Sequence, residues 1–295
     1  MGNNKSKKYQ LDEHLNDGIS YRESKQFKLA IVNFKRALTL AEELKDREKE
    51  SKGNIELGTA YKGDNQFQKA VEHYEKALEI AKERKDQAQE TDAYSRLGAA
   101  YGSNKQFQTA IKCYEQALEC AKERKDQAQE TAAYINLGQI YSYNNQFRTG
   151  NKYFEQALEI VKERKDQDQE IRAYLGLGYA DSHNNQFQTA IKYYEQAWEI
   201  AKERKDQDHE TNAYLGLGDT YRFNKQFQTA IKYYVQAMEI AKERKDQDQE
   251  RTAYFGLGEA YSSNNQFQTA IKYYEQALEI AKERKDQDQE RTAYF

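Results

Sequence analysis

The side chains able to do chemistry are few and scattered. Four histidines, His14, His73, His183 and His209, stand in different parts of the chain, and none shares a metal-ligand spacing with another His or Cys. Asp166-Gln167-Asp168-Gln169-Glu170 opens like a calcium loop. It has Ile171 where the sharp turn needs glycine and Leu177 where the bidentate glutamate belongs. Gly176-Leu177-Gly178 lacks the third glycine and the preceding strand of a dinucleotide site. No Ser/His/Asp or Cys/His set emerges from spacing. The expectation is no enzyme, no cofactor and no metal.

Cys113 and Cys120 replace what are Tyr193 and Ile200 in a sister segment, so they read as small buried hydrophobes in a reducing compartment. At the N-terminus, Met1-Gly2-Asn3-Asn4-Lys5-Ser6 fits the pattern for N-myristoylation at Gly2. Lys5, Lys7 and Lys8 would be the second signal that a single acyl chain needs. No run of apolar residues is long enough to span a membrane, and there is no signal-peptide core. A cytoplasmic location is expected, peripheral at the inner face of a membrane if Gly2 is acylated. Net charge is −3, and each basic KERK is followed by an acidic DQxQE, so no nucleic-acid partner is expected.

The elements that carry these residues are one stretch repeated. Phe27, Phe67, Phe107, Phe147, Phe187, Phe227 and Phe267 recur with a period of 40 residues, the range of solenoids and arrays. Within one unit, Ala133, Tyr134, Leu137, Gly138 and Tyr141 form one apolar stripe at helical spacing, and Phe107, Ala110, Ile111, Tyr114, Ala117, Leu118 and Ala121 form another. At about 100° per residue the stripes centred on Tyr114 and Leu137 point roughly 170° apart. A break near Lys125-Asp126 reconciles them, with Lys122, Arg124 and Lys125 at a helix C-terminus and Asp126 capping the next helix. Asn144-Asn145 marks the other turn. Each unit is a helix–turn–helix.

Gly58, Gly98, Gly138, Gly178, Gly218 and Gly258 fall mid-helix at about 1 kcal/mol each against alanine. Close approach of the paired helix would explain them, with Ala110, Ala190, Ala230 and Ala270 as the facing small residues.

Tyr134, Leu137, Gly138, Tyr141, Phe147, Gly150 (alanine in sister copies), Phe154 and Ala157 resemble the signature of the tetratricopeptide repeat (TPR). The 40-residue length resembles the LGN/Pins type, and the N-terminus resembles rapsyn, a myristoylated TPR scaffold. The proline usual near the end of the second helix is replaced by Lys162. The resemblance and the phase argument together imply an all-α fold, an α-α superhelix (TPR solenoid) of about seven helix-turn-helix repeats. They would lie near residues 9–46, 47–86, 87–126, 127–166, 167–206, 207–246 and 247–286, after a flexible basic tail at 1–8. Residues 287–295 would start an eighth repeat or form a truncated capping helix.

The copies differ mainly in the first helix, at the positions beginning Lys52, Thr59 and Gly63, then Ile55, Glu56 and Lys62. These fall within an arc of roughly 120°, while the equally polar second helix hardly changes. By the resemblance, this arc is a concave wall that holds a partner protein or peptide. Its expected contact residues are Ile135, Gln139, Tyr143, Leu175, Tyr179, His183, Leu215, Asp219, Arg222, Phe223, Phe255 and Glu259. The alternative is a membrane-tethered scaffold that clusters by end-to-end self-association. Gly150-Asn151 and Asp181 break the framework together. They form either a buried polar pair or, the favoured expectation, a loosened repeat with Asp181 turned to solvent.

Overall fold

The computed structural model describes the backbone of residues 2–293 and the side-chain surroundings of residues 4–283. Fourteen helices follow one another, and no strand occurs among the described residues. They are α1 (Gly2–Glu23), α2 (Phe27–Leu44), α3 (Arg47–Gly63), α4 (Phe67–Glu83), α5 (Gln87–Ser103), α6 (Phe107–Glu123) and α7 (Gln127–Tyr143). Then come α8 (Phe147–Arg164), α9 (Gln167–His183), α10 (Phe187–Glu203), α11 (Gln207–Phe223), α12 (Phe227–Glu243), α13 (Gln247–Ser263) and α14 (Phe267–Ala293). They pair into seven helix–turn–helix repeats, a TPR-type solenoid.

The break that the stripe phases require is present. Lys125 adopts a left-handed conformation at φ 55°, Asp126 N–H donates to Ala121 O (2.9 Å) and Lys125 N–H to Lys122 O (3.0 Å). This is a Schellman closure, which satisfies the last carbonyls of α6. Asp126 then caps α7 by accepting from Gln129 N–H at 3.1 Å. The other turn closes the same way at Asn145. Left-handed Lys or Asn recurs every 20 residues from Lys25 to Asn265, and never glycine. Lysine in that conformation carries a Cβ clash of about 1–2 kcal/mol. Lys125→Gly is therefore expected to stabilise the protein by about 0.5–1 kcal/mol after glycine's own entropy cost, read as a higher urea midpoint.

Contacts divide the chain into two compact units, residues 1–140 and 141–295. In the first, Leu11, Phe34, Leu57, Tyr74 and Leu97 are buried between consecutive helices. In the second, Phe154, Ile171, Leu177, Tyr194, Leu217, Tyr234 and Leu257 are buried. The first helices α3, α5, α9, α11 and α13 each touch the preceding second helix and their own, and successive first helices meet as α1 with α3, α3 with α5, α9 with α11 and α11 with α13.

The mid-helix glycines have a different neighbour from the expected alanines. A Cβ at Gly218 would lie 2.7 Å from the Tyr234 ring, and one at Gly98 would lie 2.7 Å from the Tyr114 ring. Ala110 instead sits opposite Gly102. An aromatic ring on the second helix lies flat on the glycine, so the close approach is ring to backbone.

Two further expectations are corrected, at the cysteines and at Asp181, and α1 and α14 are both long. Residues 2–8 continue α1, with Lys7 Nζ on the Glu43 carboxylate at 2.9 Å. Gly2 begins that helix but lies outside the residues whose surroundings are described, as do the side chains of 287–295. α14 runs to Ala293 through the position where other second helices stop. Cys113 and Cys120 are unpaired and only partly buried, though burial still pushes the Cys113 thiol up to about 11. Asp181 is 6% exposed and accepts from Asn151 Nδ2 at 2.6 Å, so the buried pair, not the solvent-turned carboxylate, is what forms. No described helix is long and apolar enough to cross a membrane.

Candidate peptide-binding face

Positions three and four apart on a helix share a face, so Tyr179 and His183 stack on α9, with ring centroids 4.1 Å apart. His183 Nδ1 donates to Tyr179 O at 2.9 Å, which fixes the imidazole against its own helix. Because successive first helices touch, the same face of the next repeat comes alongside. Tyr143 meets Tyr179 edge-on at 5.7 Å, and Phe223 meets His183 edge-on at 5.3 Å. Phe147, at the start of α8, closes on His183 at 5.8 Å. Tyr143 remains 57% exposed. Five rings from α7, α8, α9 and α11 thus form one accessible aromatic surface.

A polar network continues it. The Arg222 guanidinium stacks 4.5 Å over Phe223 and bridges Asp219 at 3.2 Å and Glu259 at 3.0 Å. Tyr234 Oη donates to Asp219 Oδ1 at 2.6 Å and accepts from Arg222 Nε at 3.3 Å. Burial and the Asp219 carboxylate together push the Tyr234 phenol above its ordinary range. Arg222 is therefore committed to its neighbours, while Asp219 and Glu259 stay partly exposed.

The expected contact residues divide accordingly. Tyr143, Tyr179, His183, Phe223, Arg222, Asp219 and Glu259 are brought together. Phe255 is 51% exposed, and its ring lies 5.6 Å from Tyr274. Leu175 and Leu215 are half-buried and pack against core residues. Ile135 and Gln139 belong to the first unit. Ile135 is fully buried and cannot touch a ligand, a correction to the sequence expectation. An aliphatic side chain at this register turns toward the core, as Ile55 also does. The corresponding face of the first unit is polar: Arg96 pairs with Asp92 at 2.8 Å, Arg22 with Glu56 at 3.0 Å, and Tyr74 Oη donates to Thr59 Oγ1 at 3.1 Å.

Sequence reasoning missed Phe147, whose register holds phenylalanine in every copy, and Tyr234, whose register holds only Tyr or Phe, so both look like framework. It also passed over two departures in the second helices, Trp198 and Val235, which stand where sister repeats carry Leu118 and Glu115. They line one outer cleft of about 760 Å³ with Tyr214, Tyr233 and Lys232. Trp198 Nε1 donates to Glu210 at 3.2 Å, and Lys202 covers its ring.

The histidines are engaged separately. His14 meets Asn33 at 3.2 Å and His73 meets Asn54 at 2.9 Å. Burial, aided by Lys76 and Lys35, lowers His73 to about 4. Asp168, Asp206 and His209 place ligand-type atoms within 4.8 Å of one another, a proximity the spacing argument did not foresee. Both Asp206 oxygens already take hydrogen bonds from His209, one from its backbone and one from its ring.

Profiles described as tetratricopeptide repeat match residues 14–83, 89–163 and 209–283, with a second such profile over 171–204. The chain belongs to the tetratricopeptide repeat family. No curated protein sequence matches it. Among solved structures, this TPR chain is similar to the apo form of RapI, at TM-score 0.72 and 15% identity, covering 94% of this chain and 99% of that one. It is also similar to aspartyl phosphate phosphatase F from Bacillus subtilis, at 0.73 and 16%, covering 94% and 71%. A third is a Rap protein complexed with competence and sporulation factor, at 0.72 and 17%, covering 94% and 76%. At such identities the likeness is one of fold.

Proposed function

We propose that this TPR protein is a non-catalytic interaction scaffold that binds an extended partner peptide on the first-helix face of its second unit. The observation that carries the reading is the ring series Tyr143–Tyr179–His183–Phe223 beside the Arg222–Asp219–Glu259 network. Exposed aromatics flanked by anchored charges are the residues that dominate binding energy at interfaces. Two of the three positions that vary most among otherwise frozen repeats, those beginning Thr59 and Gly63, supply these rings and carboxylates, which supports a face that carries specificity. A structural neighbour described in complex with competence and sporulation factor is in keeping with a ligand-binding solenoid. Another neighbour is named a phosphatase. Here the polar groups of the face bond to one another, with no nucleophile beside a base, which favours binding over catalysis. The likeness to the LGN/Pins type and to rapsyn stays a resemblance of repeat wording and supplies no partner.

The test uses 12-residue peptides selected on the full chain from a random displayed library. Tyr143→Ala and Phe223→Ala should each weaken the selected peptides by about tenfold to thirtyfold in fluorescence anisotropy, with melting temperature unchanged. Unaltered affinity in both variants would remove this face as the site.

A further inference from the structure

Tyr194 lies behind the aromatic face, within electrostatic reach of Tyr143, Tyr179 and Asp219, and its hydroxyl makes no hydrogen bond to a described residue. The residue is 5% exposed. Its ring is wedged between two first helices, and Cβ atoms built on Gly178 and Gly216 would fall 2.8 Å and 2.2 Å from it. The equivalent tyrosines show where such a hydroxyl points. Tyr74 Oη donates to Thr59, and Tyr234 Oη donates to Asp219, in each case the residue fifteen positions earlier. For Tyr194 that residue is Tyr179, whose ring is engaged with His183 and Tyr143. An aromatic ring at this register supplies no acceptor of the kind Thr59 and Asp219 provide.

The hydroxyl is not needed for packing. Phe34 and Phe154 occupy the same register and lie on Gly18 and Gly176 without one. The hydroxyl oxygen keeps contact with solvent although the ring is buried, so an acceptor brought by a ligand would take the place of water there.

The chemistry of the acceptor is constrained by the surroundings. Burial, then the Asp219 carboxylate and the Tyr179 and Tyr143 phenols, push the Tyr194 phenol well above its ordinary range, so the hydroxyl stays protonated, with Asp219 as the negative charge that acts on it. A ligand carboxylate would be opposed by Asp219, and an ammonium cannot accept. A neutral oxygen fits, and an extended peptide carries one at every residue.

We propose that the Tyr194 hydroxyl donates a hydrogen bond to one backbone carbonyl of the peptide bound across Tyr143, Tyr179 and Phe223, setting its register. This rests on the reading of that face as a peptide site. Tyr194→Phe keeps the ring wedge and removes the donor alone. The probe is the tightest peptide from the selection above, resynthesised with one amide at a time changed to an ester, which weakens that carbonyl as an acceptor. Tyr194→Phe should weaken the unmodified peptide about three- to tenfold. One ester position should weaken binding to the wild-type chain by a similar factor and leave Tyr194→Phe unaffected. If every ester position affects the two proteins equally, the carbonyl contact is overturned, while a loss on Tyr143→Ala would leave the binding face intact. If Tyr143→Ala and Phe223→Ala also bind normally, both readings fall.

Discussion

Replacing Tyr194 by alanine is expected to destabilise the second unit by about 3–5 kcal/mol, the usual cost of emptying a buried aromatic site. The ring fills the space between α9 and α11 and touches backbone on both sides, so the site cannot collapse without moving two helices. The same geometry decides the sign at Gly216. Alanine is the better helix former by about 1 kcal/mol, which taken alone makes Gly216→Ala stabilising. Its Cβ, however, would lie 2.2 Å from Tyr194 Cε1, and the ring cannot retreat because Gly178 holds its other face. Overpacking of this kind costs about 1–3 kcal/mol, and here it is at the upper end because the obstacle is a pinned ring. Gly216→Ala should therefore lose about 1–2 kcal/mol in urea unfolding. A variant as stable as wild type would show that the wedge yields more easily than its contacts indicate.

The second large effect concerns Asn151 and Asp181. Asn151→Ile restores the residue found in sister repeats, yet it should cost about 3 kcal/mol, because Asp181 then stays buried without its donor. Adding Asp181→Tyr should reverse the loss and leave the double variant about 1–2 kcal/mol more stable than wild type. The new ring can stack on Tyr193 as Tyr221 stacks on Tyr233 at 5.3 Å. The exchange also removes Asn151 Oδ1, a buried acceptor with no partner.

The pH dependence follows from the carboxyl. Burial raises Asp181 above its ordinary value, against the lowering effect of the Asn151 hydrogen bond. A raised folded-state pKa means that the native state binds the proton more tightly than the unfolded chain. This contribution therefore favours the fold below about 4, the unfolded value, and is lost as pH rises through the folded value. The advantage of the double variant over wild type should accordingly shrink as pH falls through that range. A gap independent of pH would mean that Asp181 is not the titrating group. At neutral pH, α9 amides should exchange faster than those of α11, and equal rates would argue against a soft repeat.

Much of the fold is readable in the sequence. A 40-residue period, two stripes roughly 170° out of phase and the Lys125-Asp126 junction suffice for paired helices, because each rests on local backbone rules that hold wherever the segment is placed. The variable arc also pointed to Tyr143, Tyr179, His183, Asp219, Arg222, Phe223 and Glu259, since a helix wheel already says which side chains share a face.

What the sequence left open depends on distances between helices. Phe147 repeats in every unit and Tyr234 alternates only with phenylalanine, so both look like scaffold, and only the alignment of α7, α9 and α11 makes them part of a surface. Ile135 and Phe255 share a register, yet one is buried and the other exposed, because burial is set by the neighbours at each point of the array. The Asn151–Asp181 pair was one of two arrangements, and proximity across two helices chose between them. Tyr194 is the clearest case. Its letter is the same as Tyr74 and Tyr234, but whether its hydroxyl has an acceptor is decided fifteen residues earlier on another helix. The sequence by itself determined the period, the helix ends and the face that varies, all of them short-range. Tertiary structure decided which glycine receives which ring and which donor is left unmatched, because those depend on the few ångströms between helices that no local rule sets.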